Sequence, residues 1–300
     1  MSLMKTKRIL LTVFMVFGCI QFSFTQDLLG ILENEQENVP KYTSATFKMT
    51  RIAIGHSIET RKKGILEIFV ANRFWNTPET RTQSFFVDRL SSRIALEYGI
   101  SDRLSFGAGG TSFDGLFDAY LKYKLVRQRD DGQGSPFSIT LLQNSSYNSS
   151  AFPGTTESFS DRLGFTSQVL IAKKFSQDFS LQIAPTLVHR ANLSSTDDSK
   201  SHFAIGFGGR YKLGSHLSLV SEYYYTANPI ESFDVYGPFA LGVNWELGDI
   251  MLQFMLTNAQ RIEDGAFITQ TRNNFNFKNP NLNFGFNATY VIHFKRNLKK

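Results

Sequence analysis

The sequence contains little cysteine, tryptophan or proline. Of its 300 residues, one is cysteine, two are tryptophan and eight are proline. The single cysteine, Cys19, lies in the N-terminal apolar segment, so the rest of the chain has no thiol for a disulfide or a thiolate metal site. Lipid attachment to Cys19 is disfavoured, because bulky Phe17 precedes it and apolar Ile20 follows it.

Long apolar runs are also missing. Beyond residue 24 no run approaches the roughly 20 residues of a membrane-spanning helix, so any insertion into a bilayer must use strands. A concentrated basic face is missing as well. Lys5, Lys7 and Arg8 account for three of the 32 basic residues, which leaves 29 against 26 acidic residues. Nucleic-acid binding, which needs such a face, is therefore not expected.

The N-terminus has the three parts of a secretory signal. Basic residues at positions 5, 7 and 8 precede an apolar run at 9–24, and a polar exit follows at 25–27. The run is shorter than a retained anchor helix requires. We therefore expect residues 1–25 to be a signal peptide that is cleaved after export.

Segments of alternating apolar and polar residues recur from about residue 64, with turn residues between them. They predict twelve strands, an even number, as in single-chain bacterial barrels. Short and long connections also alternate in phase along the chain, with tight turns such as Ser101-Asp102 and Gly214-Ser215. The predicted fold is all-β, an antiparallel up-and-down transmembrane β-barrel over residues 64–300. The predicted strands lie at about 64–74, 89–100, 103–111, 115–127, 137–146, 160–174, 178–190, 202–213, 216–226, 236–247, 249–258 and 281–294.

The last predicted strand shows its two faces clearly. Phe284, Phe286 and Tyr290 fall on one side, whereas Asn287 and Thr289 fall on the other. Soluble sheets alternate too, but strands that cross an outer membrane carry such aromatic residues on the face toward lipid. The pattern predicts a barrel in the outer membrane of a Gram-negative bacterium, in contact with its lipid.

Charged residues fall opposite the apolar side in several predicted strands. A charge on a lipid-facing strand position near the bilayer midplane costs about 2–4 kcal/mol, so these residues are predicted to point inward. Two interpretations remain open, a path for a small solute and a polar core whose charges pair with one another. The predicted lumen-lining residues are Arg93, Glu97, Asp118, Lys122, Lys124, Arg210 and Glu222, with Lys174 as a further inward charge.

Residues 26–63 precede the first predicted strand. They are acidic and aperiodic to about residue 46, then strand-like, and highly charged at the end. The alternatives are a plug, a periplasmic stub and an extra strand, and the extra strand is disfavoured because it would make the strand count odd. We expect a segment tucked into or beneath the barrel, with Arg51, His56 and Glu59 as candidate plug residues.

Motifs for catalysis or metal binding are weak, and no cofactor is predicted. His216 and Ser218 have a His-x-Ser spacing that resembles outer-membrane phospholipase, but they begin a strand at a tight turn and no third member can be assigned. The pairs Asp197-Asp198 and Glu263-Asp264 have the carboxylates that Ca²⁺ prefers, yet neither completes a ligand pattern. Both pairs are therefore expected to be solvated loop residues.

Two glycine-rich stretches, 107–110 and 206–209, lie within predicted strands. No helix follows either of them, so phosphate binding at a helix N-terminus is rejected. Close packing or bending of the barrel is preferred.

Several short motifs carry a resemblance that extends over most of the predicted mature chain. They are Thr50-Arg51-Ile52, His56-Ser57, Glu59-Thr60, Lys63-Gly64, the run from Glu97 to Leu104, Leu121 to Leu125, Phe159 to Leu163, Ala172 to Phe175, Pro185-Thr186, His189-Arg190 and Tyr223 to Tyr225. In these motifs the chain resembles a family of membrane-bound β-barrel domains of unknown function from Gram-negative bacteria. The resemblance implies a barrel in the outer membrane and brings no substrate or catalytic residues with it.

The sequence therefore predicts an outer-membrane β-barrel of unassigned specificity that is not an enzyme. One hypothesis is a porin-like pore or binding channel for a small solute. The alternatives are a structural or interaction barrel with a plugged lumen, which meets a periplasmic partner, and an outer-membrane lipid hydrolase.

Overall fold

The computed structural model describes residues 40–76, 88–150, 158–191, 198–275 and 282–294. The predicted signal peptide and Asp197 lie outside these residues. Within them, the predicted fold class and the strand count of twelve are confirmed. The strands are β1 (Ile65–Trp75), β2 (Arg89–Gly99), β3 (Leu104–Thr111), β4 (Leu116–Val126), β5 (Ser138–Asn148), β6 (Leu163–Lys174), β7 (Phe179–Arg190), β8 (Ser201–Lys212), β9 (Leu217–Thr226), β10 (Phe239–Leu247), β11 (Ile250–Thr257) and β12 (Asn283–His293).

Every strand pairs antiparallel with its neighbours in sequence, and β1 pairs with β12 to close the barrel. The closing register runs from Ile65 opposite His293 to Phe74 opposite Phe284. None of the twelve described strands is therefore left as an edge with unpaired backbone groups, which is the condition for a sheet to cross hydrocarbon.

Burial alternates along each strand as the sequence predicts. In β2, Arg93, Ala95 and Glu97 are buried, whereas Ile94 and Leu96 between them are exposed. The strands thus turn apolar and aromatic residues outward and polar residues inward. This arrangement avoids the cost of placing ions against lipid.

Short and long connections also alternate along the chain as predicted. Tight turns join β2 to β3, β6 to β7, β8 to β9 and β10 to β11, and Gly248 in the last of them has a φ of 68° that favours glycine. The connections at the other end are longer, except the short one between β3 and β4. The largest differences at strand starts are three residues, in β6, which begins after a 3-10 turn (Ser160–Arg162), and in β10, which begins at Phe239.

Two segments outside the strands fold into the barrel. The N-terminal insert, defined as residues 46–60, precedes β1, and most of it is buried. The loop insert, defined as residues 259–271, lies between β11 and β12 and contains helix α1 (Asp264–Gln270). Neither α1 nor any other helix in the described ranges is long and apolar enough to span a membrane.

Candidate functional site in the barrel lumen

The N-terminal insert forms a tight hairpin. Ile52 N–H donates to the carbonyl of Gly55 at 3.0 Å, and Ser57 N–H donates to that of Thr50 at 2.9 Å. Arg51 Nη1 also donates to the carbonyl of Ile54 at 3.2 Å, across the turn. These bonds leave the N–H groups at the tip of the hairpin pointing at the barrel wall.

A single wall carboxylate receives the hairpin tip. The N–H groups of Ala53, Ile54 and Gly55 donate to Glu222 Oε2 on β9, at 2.7, 2.6 and 3.0 Å. Hydrogen bonds to an ionised acceptor are about twice as strong as neutral ones. Glu222 was predicted to line the lumen, and the structure places it at the centre of the contact between wall and insert.

Side chains from all around the wall bind the backbone of the N-terminal insert. Gln182 accepts from Ile58 N–H at 2.8 Å and donates to the carbonyl of His56 at 2.7 Å. Asn287 donates to the carbonyl of Ala53 at 3.1 Å. The wall partners of the backbone lie on six strands and are Lys122, Thr140, Gln182, Glu222, Gln253 and Asn287. On a seventh strand, β1, Glu67 accepts from the Thr50 hydroxyl. The insert therefore lies near the barrel axis, with its backbone groups satisfied by the wall.

The apolar side chains of the insert pack toward one side of the lumen. Ile52, Ile54 and Ile58 belong to a buried cluster with residues of β6 to β11 and of the loop insert. A Cβ on Gly208 would lie 2.5 Å from Ile52 Cδ1. The second glycine-rich stretch thus makes room for the insert, consistent with the close packing that its composition predicts.

The loop insert reaches the N-terminal insert inside the barrel. Asp264 lies 3.1 Å from His56 Nε2 and 3.5 Å from Arg51 Nη1, and all three side chains are buried. Glu263 caps α1 by accepting from Ala266 N–H at 2.8 Å, and it also accepts from Asn144 on β5 at 3.1 Å. The two inserts therefore meet at a buried charged contact.

The expectation that Glu263 and Asp264 are solvated is wrong. They are 3% and 1% exposed, because the loop folds inward and the carboxylates find partners on the wall and the N-terminal insert. The apolar run Ala266-Phe267-Ile268 that follows was the signal for burial. The expectation is also wrong for Asp198, which is buried and accepts hydrogen bonds from Glu231 N–H, Ser232 N–H and Ser232 Oγ.

The predicted lumen-lining residues all turn inward, but they do not form one continuous row. Arg93 pairs with Asp118 through two hydrogen bonds, one of them at 2.7 Å. Glu97 accepts from Tyr120 Oη at 3.0 Å. These three side chains thus have partners within the wall.

The remaining predicted residues contact the inserts or the wall nearer the short turns. Lys122 donates to the carbonyls of Thr50 and Glu59, and Lys124 pairs with the Glu59 carboxylate at 3.0 Å. Arg210 donates to Ser218 Oγ at 3.1 Å. Lys174 donates to the carbonyl of Ser44 at 3.0 Å.

The three candidate plug residues do not lie together in the N-terminal insert. Arg51 and His56 face each other across it and meet Asp264, whereas Glu59 lies toward the short-turn end. The neutral wall partners Gln182, Gln253 and Asn287 were missed, although each occupies an inward position in its strand. Their amide side chains, at the inward positions of alternating strands, could have identified them as partners for a segment in the lumen.

The chain enters the lumen from the short-turn end. Thr43 N–H donates to the carbonyl of Gln128 at 2.9 Å, and Asp130 N–H donates to that of Lys41 at 2.8 Å. Beside this contact, a side-chain hydrogen bond from Arg129 lowers the pKa of Asp131 to about 2. The N-terminal insert is therefore anchored to the turn between β4 and β5 before it enters the barrel.

The predicted His-x-Ser pair is not assembled as a catalytic pair. Ser218 is buried and bonded to Arg210, whereas His216 is exposed in the turn. Among the described residues, no group of three or more His, Cys, Asp or Glu side chains has the geometry to hold a metal ion.

Comparison with solved structures finds a porin, an outer membrane channel and a transporter. A KdgM porin has a TM-score of 0.47 and 8% identity, over 76% of this chain and 99% of that one. The COG4313 outer membrane channel from Pseudomonas putida F1 has a TM-score of 0.46 and 13% identity, over 82% and 98%. The toluene transporter TbuX from Ralstonia pickettii has a TM-score of 0.39 and 10% identity, over 86% and 100%. Comparison with curated proteins finds no match to this chain.

A family model described as a membrane bound beta barrel domain matches residues 47–292. The match covers almost all of the N-terminal insert and of the barrel, so the insert and the barrel belong to the same family domain. A closed barrel with an apolar outer wall is the form in which strands cross an outer membrane. The protein is located in the outer membrane. On this match, the chain belongs to the family of membrane bound beta barrel domains, DUF5777.

Proposed function

We propose that the protein is a gated outer-membrane channel for a small polar solute, and that the N-terminal insert holds it closed in the structure described here. The observation that carries the proposal is the polar character of the contact between the wall and the N-terminal insert. Each backbone group of the insert that meets the wall finds a polar or charged side chain there, with Glu222, Gln182 and Asn287 as the main partners.

A polar contact of this kind allows the insert to leave the wall at low cost. A typical hydrogen bond contributes only about 0.5–1.5 kcal/mol net, because water replaces the partner when the bond is broken. If the insert leaves, the wall side chains are hydrated and form a water-compatible path. Any irregular segment inside the barrel needs polar partners for its backbone, but these same wall groups are also the ones that water can satisfy when the insert leaves.

A conductance measurement in planar bilayers tests the proposal. We expect the full chain to be mostly silent and Glu222→Gln to show frequent openings, because the substitution removes the charge that holds Ala53, Ile54 and Gly55. Glu246→Gln is the matched control: Glu246 pairs at 3.1 Å with Lys48, and both are partly exposed. Deletion of residues 47–60 should produce a lasting conductance.

A folded deletion variant that remains silent would overturn the channel proposal. It would favour the second candidate, a structural barrel that meets a periplasmic partner. The observation behind that candidate is the aromatic and basic contact at the short-turn end, where Arg127 Cζ lies 4.0 Å from the ring centroid of Tyr42.

A further inference from the structure

The barrel wall binds the tip of the N-terminal insert through its peptide backbone. Between Ile52 and Ile58, the hydrogen bonds from the described strands to the insert all go to its N–H and C=O groups. The Gln182 amide accepts from Ile58 N–H and donates to the carbonyl of His56, as the backbone of a neighbouring strand would. Every sequence has these backbone groups, so the contacts do not depend on which side chains the segment carries.

The apolar side chains of the insert lie against small wall residues. Ile52, Ile54 and Ile58 belong to one buried cluster, whose wall members include Ala172, Ala184, Ala204, Val220 and Ala240. Apolar burial is non-directional, so this part of the wall favours apolar side chains without selecting one order of them. Gly55 is different, because a Cβ there would overlap the Tyr224 hydroxyl.

The insert enters and leaves the lumen at the same end. Before it, Thr43 N–H bonds to the carbonyl of Gln128, and after it, Gly64 N–H donates to the carbonyl of Gly99 at 2.9 Å, next to the tight turn between β2 and β3. The hairpin can therefore be withdrawn without passing a chain end through the barrel. Its connection to the barrel adds effective concentration, on the order of millimolar for a short flexible linker, and not contacts at the tip.

We infer that the inner wall around Glu222, Gln182 and Asn287 is a peptide-binding site, which the N-terminal insert occupies as a tethered ligand. The inference rests on the proposed function in one respect, since it names short peptides as the class of the solute. Glu222 accepts successive N–H groups of a peptide turn, and the two amides donate to carbonyls on either side of it. A free peptide supplies the same groups and binds when the tethered segment is loosened.

A full-chain variant that loosens the insert makes the site accessible. Gly55→Ala leaves every wall residue in place, and the added Cβ would overlap the Tyr224 hydroxyl and push the hairpin tip away from the wall. Faster hydrogen exchange in residues 46–60 confirms that the insert is loosened. Ile54→Ala, which removes buried apolar contacts of the same tip, replaces Gly55→Ala if that variant does not fold or does not loosen the insert.

The probe is a synthetic peptide with the sequence of residues 50–59, which carries a fluorophore and is followed by fluorescence anisotropy in detergent micelles. A second peptide has N-methyl groups at the positions of Ala53 and Ile54, so it keeps the side chains and lacks two N–H groups. A third peptide keeps the glycine in place and scrambles the other residues. The wild type, whose insert occupies the site, shows how much peptide the micelles bind by themselves.

We expect the peptide to bind Gly55→Ala saturably, and at least about tenfold more tightly than the wild type, where the tethered insert competes. The N-methylated peptide should bind at least about tenfold more weakly, because Glu222 loses two charge-assisted hydrogen bonds. The scrambled peptide should stay within about threefold, since the wall binds the backbone.

Wall variants in the Gly55→Ala background locate the site. Adding Glu222→Gln should weaken peptide binding about tenfold, because hydrogen bonds to a charged acceptor are the stronger ones. Glu246→Gln is the matched control and should change the affinity less than about twofold. Glu246 pairs with Lys48, which the peptide does not contain.

Absence of saturable binding to the loosened variant would overturn the site, and so would an equal effect of Glu222→Gln and Glu246→Gln. Equal affinity of the N-methylated peptide would overturn recognition of the backbone. Loss of binding with the scrambled peptide would overturn peptides as the solute class, because the wall would then bind its own insert alone. These outcomes do not depend on conduction, so they are distinct from a silent deletion variant in bilayers, which would overturn the channel proposal.

Discussion

The two inserts fill the same lumen by different means. The N-terminal insert is held mainly through its backbone, whose N–H and C=O groups bind side chains on six strands. The loop insert satisfies part of its backbone within α1 and buries Phe267 and Ile268 in the apolar cluster. A helix satisfies most of its own backbone groups, so it can enter the barrel by burying apolar side chains. An irregular segment cannot do this, and its backbone groups need polar partners on the wall.

Phe267→Ala should have the largest effect, and it tests the apolar side of this comparison. Phe267 is fully buried, and its ring centroid lies 5.4 Å from that of Tyr224. Truncating a buried phenylalanine costs about 3–5 kcal/mol. Hydrogen exchange followed by mass spectrometry should show faster exchange in residues 264–271. The comparison fails if residues 46–60 exchange faster to the same extent, because the inserts would then open as one unit.

Glu222→Gln tests the polar side. An amide at this position keeps an acceptor but removes the charge that three N–H groups share. Hydrogen bonds to charged groups contribute about 1.5–3 kcal/mol, so we expect a loss of this order in the free energy of opening of the N-terminal insert. Hydrogen exchange at Ala53, Ile54 and Gly55 measures it. Unchanged exchange at these amides would show that the apolar cluster alone holds the insert.

A double-mutant cycle of Arg51→Met and Asp264→Asn tests whether the inserts are coupled. Their side chains are buried and 3.5 Å apart, the range in which neighbouring residues show coupling of about 0.5–3 kcal/mol. We expect Asp264→Asn to speed exchange in both inserts, and the cycle to give a coupling of at least 0.5 kcal/mol, on the order of that range. Additive effects would mean that the inserts are held independently.

Glu246→Gln should have the smallest effect. The Lys48–Glu246 pair is partly exposed on both sides, and surface ion pairs contribute about 0–1 kcal/mol. Exchange in residues 46–60 should change little, and less still at high salt, which screens exposed charges. A loss as large as that in Glu222→Gln would show that the rim of the barrel, not the hairpin tip, controls the insert.

The fold could be predicted almost completely because each strand has its own alternation. In β2, Arg93 and Glu97 point inward for the same reason that Ile94 and Leu96 point outward, and no distant contact is needed to infer it. The predicted strand ends were less accurate where an aromatic or charged residue continued the alternating pattern into a turn, as at Arg162 before β6.

The site was predicted less well because its contacts are distant in sequence. Glu222 could be placed on the inner wall, but its three N–H partners are 167 to 169 residues away. Asp264 looked like a loop residue, because nothing near it in the sequence indicates that Arg51 and His56 lie beside it. Arg73 lies on the inward face of β1, but its hydrogen bond to Asn287, 214 residues away, is visible only in the folded barrel.

The hydrogen bond between Asn287 and Ala53 has a consequence for how the protein is assembled. It joins residues 234 positions apart and brings the last strand to the segment that precedes the first. The earliest-synthesised part of the domain therefore cannot complete its contacts until β12 has arrived. The bond from Asn287 to the Ala53 carbonyl therefore forms only when the barrel is complete, since a partly inserted intermediate without β12 lacks its donor.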